Sequence, residues 1–127
     1  MGRWGAYYTK GMRREALAEA QKFFAVLGDR EVEDALTRGY VEGGYARAMH
    51  LGAEVLVARS RRSHVPGMRI ARLYAHAGEN DQAMKWLQTA CVRRETTIGH
   101  IGVGWDWDAL RPDSRFQDLL RRVGLTP

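Results

Sequence analysis

Apolar residues recur along this chain at intervals of three and four, the period of an α-helix, while the strict alternation of a half-buried strand is hard to find. Leu17, Ala20, Phe24 and Leu27 form one stripe, closed by Gly28-Asp29. Val32, Ala35, Leu36 and Gly39 begin a second, ending near Gly43-Gly44, and Ala48, Leu51, Val55 and Leu56 make a third, closed by the basic run at 59–62. Ile70, Leu73, Tyr74 and Ala77 form a fourth. Pro66 suits its first turn and Gly78 a left-handed cap at its end. Asn80 or Asp81 is placed to cap the next helix, which carries Ala83, Leu87, Ala90 and Cys91. After Glu95 the pattern lapses into the glycine-punctuated stretch TTIGHIGVGWDWD. A last helix is expected beyond Pro112, with Asp113 or Ser114 near its cap and Phe116, Leu119, Leu120 and Val123 facing inward until Gly124. The pattern predicts an all-α chain of antiparallel helices joined by short turns.

One spacing recurs three times, a glycine followed five residues later by an alanine: Gly11/Ala16, Gly43/Ala48 and Gly78/Ala83. The alanines are 32 and 35 residues apart, which brackets the ~34-residue period of helix–turn–helix repeats. A glycine lets the chain reverse sharply, and a small residue lets two helices approach closely where a larger one would wedge them apart. The expected units run over about residues 1–28, 29–62 and 64–95, with a closing loop and capping helix over 96–127, all in one domain.

On these residues the chain resembles the tetratricopeptide repeat family. Ile70-Ala71, Tyr74, Gly78, Ala83, Leu87 and Ala90 stand at that family's signature spacings. Ala71 replaces its usual glycine, Glu95 its usual proline, and Gly52 a bulky apolar residue. LRPDSRFQDLLRRVGL is similar to the closing segment of many bacterial multi-repeat proteins, in which an aromatic-Asp dipeptide (here Trp107-Asp108) packs under the final helix. The resemblance implies helix pairs stacked as a short right-handed solenoid with a C-terminal capping helix. It also implies a non-catalytic module that binds a peptide or protein partner in a concave groove. Carried over position by position, the groove comprises Arg30, Glu33, Thr37 and Tyr40 on one helix. Met68, Arg72 and His76 follow on the next, with Tyr8 and Thr9 on the N-terminal stub. Arg72 and Arg30 near Tyr40 are the pair expected to hold a carboxylate or acidic peptide. Trp105, Trp107 and Phe116 are expected to plug the C-terminal end. Trp4, Tyr7 and Tyr8 would leave the first helix poorly covered, so either the chain closes a longer protein or a second copy covers that end as a homodimer.

Composition narrows the setting. Apolar residues make up 45% of the 127 and charged residues 28%, a globular balance. No apolar run reaches the ~18 residues of a membrane span, and the N-terminus lacks a secretory apolar core. Cys91, the single cysteine, precludes an intramolecular disulfide and fits a reducing, cytoplasmic setting. Net charge is +5, divided +3 and +2 about His64, so nothing basic is segregated along the sequence and a nucleic-acid partner is not expected. Arg61-Arg62, Arg93-Arg94 and Arg121-Arg122 fall in the last turns of expected helices, where cations favour the negative dipole end. Arg13-Arg14 begins a helix and has no such reason. The alternative reading is a sensor or dimerisation domain of a transcriptional or signalling regulator, which a contiguous arginine stripe on one face would favour.

Candidate chemistry changes little. His50, His64, His76 and His100 show no metal-ligand spacing, so neither metal nor cofactor is expected. Cys91 shares an inner face with Leu87 and Ala90 and reads as a small core hydrophobe. GHIGVG at 99–104 lacks a Lys-Ser/Thr and a preceding strand, so it reads as a connection rather than a phosphate loop. Glu31, Glu33 and Asp34 suit a helix start. No catalytic constellation is expected.

Overall fold

The structure, a computed structural model, describes residues 2–95, 98 and 105–124. Among them all regular structure is helical. The α-helices are α1 (Gly2–Thr9), α2 (Arg13–Val26), α3 (Arg30–Gly43), α4 (Tyr45–Ser60), α5 (Gly67–His76), α6 (Asn80–Val92) and α7 (Ser114–Arg122). A 3₁₀ segment, Trp105–Leu110, precedes α7. The GHIGVG stretch, His100 and the Trp105 side chain lie outside the described residues.

Short turns fold the first six helices into three hairpins, α1/α2, α3/α4 and α5/α6. α2 lies against α3 and α4, α4 against α5, and α7 against α6. The apolar stripes face inward at these contacts, with Phe24, Leu36, Leu56, Ile70, Leu73, Leu87 and Phe116 fully enclosed, but Leu27, expected to close the first stripe, lies past the end of α2 and is 44% exposed. Ala16, Ala48 and Ala83 are also fully enclosed. Their role is clearest in α3/α4, where a Cβ on Gly39 would come within 2.6 Å of the Ala48 Cα. Two backbones meet there with no room for a side chain.

The middle turn corrects one expected hinge. Gly43 is the last residue of α3, and Gly44 alone links it to α4, at φ +88°. A one-residue reversal needs the left-handed region, which glycine enters without steric cost. The Gly44 N–H also donates to the Tyr40 carbonyl at 2.9 Å, satisfying an end of α3. Gly11 and Gly78 do occupy turns with positive φ. At α6 the residue before the helix is Glu79, with no side-chain cap, so neither Asn80 nor Asp81 takes that role.

Helix ends are otherwise tied by charge. Asp29 caps α3 by accepting from Val32 N–H at 3.2 Å and binds the Arg59 guanidinium through two bonds of 2.7 and 2.9 Å. The hydrogen bond from Arg59 is the main reason the Asp29 carboxyl lies below its usual range, against the opposing effect of burial. Glu95 accepts from the Gly67 and Met68 N–H groups at 2.7 and 3.1 Å, so the residue after α6 caps the start of α5. Asp113 caps α7 by accepting from Arg115 N–H, and Arg115 bridges Asp113 to Asp81, tying α7 to α6.

The N-terminal helix is not the exposed stub expected from the sequence. Trp4 is only 2% exposed. α1 crosses to the 3₁₀ segment as well as packing on α2, and this additional contact covers its aromatic face. Arg13 also gains a local reason: its Nη1 donates to the Tyr8 carbonyl at 2.9 Å and its guanidinium lies 4.6 Å over the Tyr8 ring.

Candidate functional site

Five side chains from four elements converge where α1, α4, α5 and the 3₁₀ segment meet. Gly44 places Tyr45 at the first position of α4, and α5 ends at His76, so both lie at the turn end of their hairpins. Arg72 stands one helical turn before His76 and shares its face. Trp4 comes from α1 and Asp106 from the 3₁₀ segment.

The hydrogen bonds run in one direction. Trp4 Nε1–H donates to the Tyr45 hydroxyl at 2.8 Å. Tyr45 donates in turn to His76 Nδ1 at 2.5 Å, and His76 Nε2–H donates to Asp106 Oδ1 at 2.6 Å. Because the Asp106 carboxylate can only accept, the neutral His76 carries its proton on Nε2 and leaves Nδ1 to accept from Tyr45. Arg72 Nε stands 3.0 Å from the same Asp106 oxygen as an ion pair, without the alignment of a hydrogen bond. The Arg72 guanidinium lies 4.0 Å over Trp4, and the Tyr8 ring packs 4.2 Å from His76.

Burial dominates the electrostatics. It pushes the His76 imidazole below its usual pKa, although Asp106 opposes the shift. At Asp106 burial alone would raise the carboxyl, but the His76 hydrogen bond and the Arg72 charge together hold it below its usual value. Burial also raises the Tyr45 hydroxyl. The order phenol, imidazole, carboxylate has the connectivity of a nucleophile–base–orienter relay. Here Tyr45 is only 6% exposed and its hydroxyl is engaged on both sides. The arrangement is a closed polar lock that fixes α1 and the 3₁₀ segment to α4 and α5.

Of the residues assigned to a groove, the structure gathers Tyr8, Arg72 and His76 in this lock. His76 is 2% exposed, so it does not face an open groove. Arg72 is committed to Asp106 and Trp4 rather than to a joint site with Arg30. The reason is that α1 and the 3₁₀ segment fill the space in front of α5. Met68, on the same α5 face, is half-buried against the core. Arg30 and Thr37 are exposed on α3, with Glu33 and Tyr40 half-buried beside them. Thr37 accepts from Gln21 Nε2 of α2 at 3.0 Å, tying that face to the first hairpin.

Trp4, Tyr45 and Asp106 are the partners that sequence spacing did not bring together. Their separations of 41, 31 and 30 residues along the lock's bonds leave no periodic trace. Among the described residues no group of three or more His, Cys, Asp or Glu side chains gathers as a metal site, and none of the helices is long and apolar enough to cross a membrane. Comparison with protein-family models, curated proteins and solved structures gives no match.

Proposed function

We propose that the chain is a non-catalytic protein-interaction module, a short right-handed array of tetratricopeptide-like helix pairs that takes a peptide or partner helix on the α3 face, beside the α5 face that α1 covers. One observation carries this reading. α1 lies against the 3₁₀ segment and sets Trp4 onto Arg72 and His76 of α5. The α5 face thus already receives one short aromatic-anchored helix within the molecule, the helix-in-groove mode of recognition. α3 offers a second face with Arg30, Glu33, Thr37 and Tyr40 at helical spacing, and Arg and Tyr are residue types that carry interface energy.

Selection of displayed peptides against the intact chain tests it. The expected binders are amphipathic sequences with an aromatic anchor, weakened at least ~10-fold by Tyr40→Ala and unaffected by Arg122→Ala on α7. Binders indifferent to Tyr40→Ala and Glu33→Arg would remove the α3 face from the proposal.

A further inference from the structure

The charge that is spread along the sequence is gathered by the fold. Residues 55–78 contain no acid, nor do 82–94 or 96–105. The acids Glu79 and Asp81 fall at the α5/α6 turn, while Arg61, Arg62, Arg69, Arg93 and Arg94 fall at the opposite end. Contacts fix these arginines to one edge. Arg61 follows the last turn of α4. Arg93 Nη1 donates to the Val65 carbonyl at 3.1 Å, and Glu95 caps Gly67, so the end of α6 lies beside the start of α5. Arg69, half-buried there, is within electrostatic reach of Asp29, Arg59 and Glu95.

The acids on this edge are already bound. Asp29 and Glu31 hold Arg59, and Glu95 holds the first N–H groups of α5. Arg61, Arg62, His64 and Arg94 are exposed and have no carboxylate partner among the described residues. Two of the three α7 arginines differ: Arg115 is held by Asp81 and Asp113, and Arg121 by Asp118 at 2.7 Å.

We infer that the edge formed by Arg61, Arg62, Arg93 and Arg94 is a binding surface for the phosphate backbone of a nucleic-acid duplex. Exposed guanidinium groups at two adjoining helix ends, those of Arg61, Arg62 and Arg94 without a carboxylate partner among the described residues and that of Arg93 3.8 Å from Glu95, fit phosphates by charge and by their forked donors. Helix C-terminal ends offer no recognition helix to a groove, so the contacts position the backbone and do not read bases. This surface stands apart from the α3 face and does not depend on the peptide-binding reading.

Anisotropy of a labelled random-sequence DNA duplex with the intact chain tests the inference. Engagement of about four phosphates gives a slope near −3.6 in log affinity against log salt, a loss of roughly 100-fold between 50 and 200 mM. Arg61→Gln/Arg62→Gln/Arg94→Gln, with unchanged helicity and melting, is expected to weaken binding at least ~10-fold and to flatten that slope by about 2.7. Arg121→Gln/Arg122→Gln is expected to bind as the unaltered chain does. Three results would overturn the inference: no duplex binding at low salt, equal losses from both variants, or tighter binding to a poly-glutamate peptide than to the duplex.

Discussion

The Tyr45 hydroxyl stands 2.5 Å from His76 Nδ1 while accepting from Trp4 Nε1–H at 2.8 Å, so one oxygen joins α1 to α4 and α4 to α5. A buried hydroxyl with both roles filled is costly to remove, because its former partners stay behind without water.

Tyr45→Phe keeps the ring and deletes this oxygen, leaving the Trp4 indole N–H and His76 Nδ1 without their partners. Each unsatisfied buried group costs ~1–3 kcal/mol. The variant is therefore expected to lose about 2–4 kcal/mol, read as a lower urea midpoint at an unchanged slope. A loss under ~0.5 kcal/mol would mean that water replaces the oxygen and the lock does not hold α1.

His76 gives the lock a direction in pH. Its folded pKa is lowered from the ordinary histidine value of 6.5, chiefly by burial. The unfolded chain thus binds the proton more readily, and stability rises with pH. The contribution is complete above the unfolded value and is lost as pH falls through about 6.5 toward the folded value. The Asp106 carboxyl is also lowered, from 3.8, so its contribution is lost only at more acidic pH. Midpoints measured between pH 7.5 and 5 are expected to fall on acidification. His76→Gln should flatten that dependence while lowering stability at pH 7.5. An equal slope in the variant would assign the dependence elsewhere.

The hairpins were legible because their cause is local: apolar period, turn glycines and small contact residues lie within a few positions of one another. The middle hinge was misplaced by one residue because Gly43 and Gly44 are equally permissive, and only the geometry of a one-residue turn selects the second. The lock was illegible for the opposite reason. Asp106 reaches His76 across 30 residues through hydrogen bonds that impose no spacing. The basic edge was hidden in the same way, since helix ends that are neighbours in space alternate with acidic turns in sequence.

Gly39 and Gly52 separate two kinds of close packing. In a helix interior, glycine to alanine favours the helix by about 1 kcal/mol. At Gly39 the new Cβ would meet Ala48 Cα at 2.6 Å and the Arg47 carbonyl at 2.8 Å, both backbone, so the α3/α4 hairpin must open. Gly39→Ala is expected to cost ~1–3 kcal/mol or more despite its better propensity. At Gly52 the nearest atom is Leu36 Cδ2 at 3.0 Å, the end of a side chain that can shift. Gly52→Ala should fall within about 1 kcal/mol of neutral. Equal thermal midpoints for the two variants would show that α3 and α4 are not held at the observed distance.

Glu95 stands where the resembled family has proline, and its carboxylate does what that ring cannot. It accepts the Gly67 and Met68 N–H groups at 2.7 and 3.1 Å, placing negative charge at the positive end of α5. Those amides have no intrahelical acceptor, so removing the carboxylate leaves them to solvent or unsatisfied. Glu95→Ala is expected to cost ~1–2 kcal/mol, and Glu95→Gln, which keeps an acceptor without the charge, about half as much. The loss should be local before it is global, with hydrogen exchange at Met68 accelerating more than at Leu87 in the core of α6. Should the two amides exchange at unaltered rates in Glu95→Ala, the α5 start is held by Pro66 and packing alone, and the cap from α6 contributes nothing.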